Sequence, residues 1–331
     1  SIAINGQKLL LTLGVPSEHQ GRPLRHEDVT VLDMSVSKGF NGDDVQDRIE
    51  AAEKSAGSDS DYIISDKGYN LVKGITGSGH IYHADISHSM GVILKDVYGE
   101  QSDFTELTTL LGKKRLQYHL TDKAYLLPPN MRAISRFMNM SSWVLWGNEM
   151  LNCYDTLPEK MQEAYAFIKD YESLLRELQT VIFAVRHVET ICKNEGFSIM
   201  TSRKCRSYII THVLGNAHYR QARVGIKMLE YFKREEAPLT ENMSINLSSD
   251  IIESTFGIYK SKKSPNKLYG VTSFVLTIPL YSKVANESVT KTINFKERIV
   301  NVKLKDISAW STEHLPKNWV TERTKTLRKV S

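Results

Sequence analysis

The sequence predicts a mixed α/β fold interrupted by a large all-α segment. Three observations carry this. Short apolar runs at Lys8–Gly14, Val29–Met34, Tyr62–Ile64 and Ile81–Ala84 read as strands. Helix-length segments separate the later runs. From about Asp103 to Glu236 helical periodicity then replaces strand patterns almost completely. The organising stretch is Ser58–His88: one run leads into Asp66, a helix-length segment follows, and a second run leads into Asp85. That order predicts a strand, a crossover helix and a parallel strand, with a carboxylate at each strand's C-terminal end. Chemistry in open α/β sheets sits beyond those ends, which makes Asp66 the first candidate for a functional acid.

In chain order, Lys8–Gly14 and Val29–Met34 predict two strands, joined hairpin-fashion through the polar, Gly- and Pro-bearing Val15–Asp28. Gly42–Ala56 predicts a helix: Val45, Ile49 and Ala52 share one face, and Asp43 and Asp44 favour its N-terminus. Tyr69–Thr76 and Ser87–Tyr98 are further helices. In the middle block the clearest pattern is Glu159–Asn194, whose apolar residues recur every three or four positions, a packing face with no chemistry assigned to it. Ser202–Leu214 and Tyr219–Arg234 continue the helical series. Pro128–Pro129 precedes a stretch where Arg132 and Arg136 lie near Trp143 and Trp146. Asp250–Tyr259 reads as a helix capped by Ser248 or Ser249, with Asp250 and Glu253 in its first turn. Lysines follow at Lys260, Lys262, Lys263 and Lys267. Gly270–Lys283 reads as an apolar helix, and the remainder as a polar, basic tail with one alternating stretch, Ile299–Leu304.

Composition narrows the function classes. With 331 residues, the chain is long enough for more than one structural unit. A hydrophobic share of 41% with 24% charged residues is that of a globular protein. No run approaches the roughly 20 apolar residues of a membrane span, so no membrane partner is expected. The net charge of +5 and pI near 8.8 permit a polyanionic partner without requiring one. Cys153, Cys192 and Cys205 have no C-x-x-C or metal-like spacing, which favours a reducing compartment.

The pattern of IISDKG around Asp66 and SSDIIESTFGIYK around Glu253 resembles the catalytic domain of DDE insertion-sequence transposases. The resemblance implies an RNase H-like mixed sheet core with a large all-α insertion. It divides the chain into a first core part (1–102), a helical insertion (103–236), a last core part with the third acid (237–285) and a basic C-terminal tail (286–331). It implies that Asp66 and Glu253 are the second and third catalytic acids, each binding one Mg²⁺ (or Mn²⁺). Asp85 and His88 match a D-x-x-H element of some members and form a secondary candidate pair. The implied activity is metal-dependent phosphodiester cleavage and strand transfer at transposon ends. The partners would be double-stranded DNA, both ends and target, and a second copy in a homodimer; the setting would be a prokaryotic cytoplasm, at the nucleoid. SIAINGQ reads as the exit from the strand that carries the first acid, so that acid is expected just upstream of Ser1, with Asp33 as the available substitute.

Other readings of the same residues stay open. Asp66 before Gly68 is also what a simple turn requires, and an acid at Glu253 suits any helix N-terminus. Lys67, Lys260, Lys262, Lys263 and Lys267 are candidate phosphate contacts, or a solvated surface. Trp143 and Trp146 share a helix face and are expected in the core. Two alternative functions follow: an inactive fragment that only binds DNA, or a metal-dependent hydrolase using Asp66, Asp85 and His88.

Overall fold

The computed structural model describes residues 1–130, 137, 140–215, 218–266, 269–285 and 287–328. It is a mixed α/β structure, mostly helical with little sheet. Two compact units divide the chain: Ser1–His83 with Ser248–Ser331, and Ala84–Leu247.

The first unit begins with β1 (Ile2–Ile4), β2 (Gln7–Gly14) and β3 (Thr30–Ser37), antiparallel in that order. Asn5 and Gly6 both take positive φ in the tight turn between β1 and β2. The β2–β3 hairpin runs from Lys8 opposite Ser37 to Gly14 opposite Thr30, with a bulge between Thr12 and Leu13. Period-two alternation along β2 feeds two cores. Leu10 packs with Val45 and Ile49 of α1 (Gly42–Ala56) and Ile75 of α2 (Tyr69–Gly77). Leu9 and Leu11 face the other way, onto Phe256 and Tyr259 of α10 (Asp250–Lys262) and onto Val271, Val275 and Ile278.

Helix α1 starts in a capping box, Asn41 accepting from the Asp44 N–H while Asp44 accepts from the Asn41 N–H. It stops at Gly57, whose φ of 76° is the left-handed cap that glycine reaches without a Cβ penalty. β4 (Ile63–Ser65) and β5 (Tyr82–Ala84) form a separate two-stranded sheet, joined in sequence by α2. The expected single mixed sheet is therefore two sheets among the described residues. Beyond α10, the predicted helix over Gly270–Lys283 is a 3-10 turn, Ser273–Thr277, followed by α11 (Ile278–Ala285). The alternating Ile299–Leu304 stretch belongs to no strand: it spans the end of α13 (Phe295–Val300) and the start of α14 (Leu304–His314). The tail also contains α12 (Glu287–Thr292) and α15 (Trp319–Arg328). Trp310 and Leu315 pack against the Leu9 core, and buried Gln7 accepts from the Val271 N–H while donating to the Pro316 carbonyl at 2.7 Å.

The second unit is built from helices: α3 (Ile86–Tyr98), α4 (Ser102–Tyr118), α5 (Met140–Cys153), α6 (Glu159–Tyr165), α7 (Glu172–Glu195), α8 (Ile199–Ile209) and α9 (Tyr219–Glu236). The apolar stripe over Glu159–Asn194 is not one helix: a 3-10 turn, Ala166–Tyr171, separates α6 from α7. Trp143 is buried, as expected, and Trp146 is half-buried with its ring N–H on the Leu126 carbonyl. A partly buried ionic network crosses the helices. Tyr98 donates to Glu177 at 2.7 Å, and Arg220 bridges Glu177 at 3.0 Å and Asp103 at 2.7 Å. The first and last residues of this unit are close neighbours: the Ile86 N–H donates to the Leu247 carbonyl at 3.0 Å.

Two expectations follow. A Cβ on Gly74 would stand 2.6 Å from the Gly42 carbonyl oxygen and from the Val45 Cβ, so α1 and α2 touch backbone to backbone there. Gly74→Ala should cost about 1–3 kcal/mol through overpacking. Gly112→Ala in α4, where a Cβ meets nothing within 4 Å, should instead stabilise by up to about 1 kcal/mol. Urea midpoints compare the two, and equal shifts would contradict the contact. The second concerns Glu53, at the end of α1. Burial alone would raise its pKa, but the Ser60 N–H and hydroxyl and the His80 ring, 2.6 Å away, hold it below the usual 4.5. A depressed folded pKa gives stability that is present above the unfolded value and lost as pH falls through the folded one. The stability gap between the parent and Glu53→Gln should therefore close as pH drops below about 4.5; a gap independent of pH would refute it.

Candidate functional site

Asp66 follows β4 directly and is half-buried. Its backbone is fixed by hydroxyls. Ser65 donates to the Asp66 carbonyl at 3.0 Å, and the Tyr82 hydroxyl of β5 reaches the carbonyls of both Ser65 and Asp66 at 3.3 Å. Those contacts hold the Cα–Cβ direction of Asp66 in register with the strand end. Ser1, at the start of β1, lies within electrostatic range of the Asp66 carboxylate. The start of β1 and the end of β4 are thus electrostatic neighbours, although they belong to different sheets.

Glu253 lies in the first turn of α10 and is exposed. Of the predicted caps, Ser249 occupies the N-cap position but its side chain makes no capping bond, while the Ser248 hydroxyl accepts from the Asp250 N–H at 3.2 Å. The orientation of α10 is set by Ile251, Thr255, Phe256 and Tyr259, which are buried. That leaves Glu253, Ser254, Gly257 and Lys260 on the solvent side. The Ser254 hydroxyl meets the His26 ring at 3.1 Å, from the 3-10 turn between β2 and β3. Sequence reading missed His26, since nothing local marks it.

Asp33 lies within β3 rather than at its end. Burial raises its pKa, Arg48 stands 3.8 Å away, and Ser35 donates to it at 3.4 Å. The edge strand of the three-stranded sheet therefore holds it in its own local network.

Asp85 and His88 lie in the second unit and are brought together. Asp85 is the N-cap of α3, its buried carboxylate accepting from the His88 N–H at 2.7 Å. The spacing of three residues that suggested a chemical pair is also the spacing of an N-cap contact.

Of the candidate cations, Lys67 is half-buried, and Lys260 and Lys262 are exposed on the last turns of α10. Lys262 lies over the Tyr281 ring at 5.5 Å, and Lys263 donates to the Ser264 carbonyl. Lys267, Arg132 and Arg136 lie outside the described residues.

Among the described residues, no group of three or more His, Cys, Asp or Glu side chains gathers as a metal cluster. Asp66 and Glu253 are hard oxygen donors. Mg²⁺ is commonly held by one or two carboxylates together with substrate phosphates, so the donor chemistry fits that ion. No protein-family model matches this chain, and no curated protein sequence matches it.

Substitution separates the capping role of Asp85 from a chemical one. Asp85→Ala should lower stability by roughly 0.5–2 kcal/mol, while Asp85→Asn, still an acceptor, should keep most of it. Thermal unfolding of both variants checks this; equal losses would show that the charge, not the cap, is what matters.

Proposed function

We propose that this chain is the catalytic region of a DNA transposase, with an RNase H-like core and a helical insertion before its last acid. The observation that carries the reading is the proximity of the start of β1 to Asp66 at the end of β4. The fold that the resemblance implies carries one acid on its first strand and one after its fourth, and here the first acid is expected just upstream of Ser1. Further support comes from the element order: three antiparallel strands, α1, β4, α2 and β5, then a helical unit, then α10. Helices cover both faces of β2, and α10, which carries Glu253, packs on one of them.

In this reading Asp66 and Glu253 would hold Mg²⁺ or Mn²⁺. Bound there, the metal supplies activation of an attacking hydroxyl and stabilisation of a leaving phosphodiester oxygen. The protein's own part is positional. Tyr82 and Ser65 pin the backbone at Asp66, and the buried face of α10 turns Glu253 outward, where a DNA strand has access to it. Double-stranded DNA, element ends and target, is the substrate, and a dimer would hold two ends at once.

In the full-length gene product, supplied with a plasmid bearing the gene's own flanking DNA, Asp66→Asn and Glu253→Gln should each reduce excision or strand-transfer product to below about one hundredth of the parent. Circular dichroism should be unchanged. A folded Asp66→Asn protein that still joins ends would sink the proposal.

A further inference from the structure

Two thiols in the helical unit take no part in the proposed site. Cys192 lies in the last turn of α7 and Cys205 in the middle of α8, and they are 1% and 0% exposed. Their sulfurs stand 3.9 Å apart, in contact through an S–H. The chain between them is fixed at each step. Gly196 ends α7 with a φ of 78°. Phe197 exchanges backbone hydrogen bonds with Ile245 at 2.8 and 2.9 Å. Ser198 and Thr201 form the capping box that starts α8. At the surface, Lys204 reaches Glu195 at 2.6 Å, so an ion pair joins the same two helices beside Cys205. Fixed backbone on both sides keeps the two sulfurs facing each other.

Two sulfurs held in this way suit a thiolate metal centre or a disulfide. A structural metal centre needs about four ligands, and among the described residues no group of three or more His, Cys, Asp or Glu side chains gathers. A disulfide needs only the pair. Its S–S bond is about 2.05 Å long, so the sulfurs must approach by roughly 2 Å, a shift within the sweep of two cysteine side chains.

We infer that Cys192 and Cys205 are a redox pair, which a peroxide closes to a disulfide that ties α7 to α8. One sulfur attacks a peroxide oxygen, the O–O bond breaks, and the products are a sulfenic acid and one water. The second sulfur then attacks the sulfenic sulfur. The S–S bond forms, the S–O bond breaks, and the hydroxide leaves with the second thiol's proton as another water. The sulfurs lose two electrons in all, and the peroxide gains them. Cys153, half-buried on α5 with its thiol on the Met150 carbonyl, is the internal control for oxidation of an isolated thiol. The bridge also reaches α9, because Ser202 and Arg206 of α8 both meet Glu236. Oxidation would therefore brace three helices and restrict the unfolded chain between the cysteines. This inference is independent of the transposase reading.

The test uses the full chain, reduced and then exposed to hydrogen peroxide, blocked with N-ethylmaleimide in denaturant and digested in acid. Mass spectrometry should find a linked peptide pair holding Cys192 and Cys205, about 2 Da lighter than the two reduced peptides together. The oxidised chain should unfold at least about 5 °C above the reduced one, and dithiothreitol should reverse the gain. Cys153→Ala should behave as the parent does. Cys192→Ala and Cys205→Ala, with folding checked by circular dichroism, should show no gain on oxidation. Both thiols still free after peroxide, sulfinic acid in place of the bridge, a bridge to Cys153 instead, or a bridge that leaves the midpoint unchanged would each overturn the inference. The peptide result comes from the parent chain, so a variant that fails to fold does not remove the test.

Discussion

Unit one depends on β2 being apolar on both faces. Leu10 points to one side and Leu9 and Leu11 to the other, and all three are buried. A strand of that kind is stable only when both sides are covered. The chain supplies one cover at once: α1 follows β3 directly, and α2 follows β4. The other cover, α10 with α11, arrives only after the whole of Ala84–Leu247. Completing this core therefore requires closing a very long loop, an entropic cost that grows only slowly with length. The hydrogen bond from Ile86 to Leu247 shows how the cost is limited. The helical unit begins and ends at one point, so its interior length adds little to the closure.

This arrangement explains which features were legible in the sequence. Helix α1 was readable to its ends because its signals are local: an Asn cap, acids in the first turn, three apolar residues on one face and a terminal Gly. The strand before Asp66 and the first turn of α10 were readable for the same reason. The division of Glu159–Asn194 was not, because a 3-10 turn of six residues barely disturbs a three-and-four apolar stripe. The helices of the tail were hidden by their composition. Most of their surface is exposed, so no strong apolar face announces them, and only caps such as Asn294 and Asn318 give a signal.

The candidate site was legible only as positions. Asp66 and Glu253 sit on elements that sequence patterns identify, but what surrounds them comes from distant segments: Tyr82 at the Asp66 backbone, Ser1 near its carboxylate, His26 against Ser254. Asp85 illustrates the converse. Its buried carboxylate has a local partner three residues on, and one motif served equally as a cap and as a chemical pair. Likewise, Cys192 and Cys205, thirteen residues apart and without a recognisable motif, meet in the second unit with their sulfurs 3.9 Å apart. Both are buried, and the contact with Cys205 together with desolvation pushes the Cys192 thiol pKa up.

Charge is distributed according to what each region must do. In the helical unit, Arg220 lies between Asp103 and Glu177, and Glu177 also accepts from Tyr98, so the buried carboxylate has both oxygens satisfied. Removing Arg220 would leave the buried Glu177 carboxylate without its counter-charge, which is costly in low dielectric. Nearer the surface, Arg22 and Asp28 in the β2–β3 connection form a bidentate pair that ties the two ends of that loop together. The C-terminal helices follow the opposite rule. Their lysines contribute little to holding the tail in place, which is done by Gln7, Trp310 and Leu315. A charge that the fold does not use costs little to keep hydrated, and it stays available to a partner. Residues 84–247 carry 20 Lys or Arg against 19 Asp or Glu and are close to neutral, so the positive excess belongs to the tail, with ten against five.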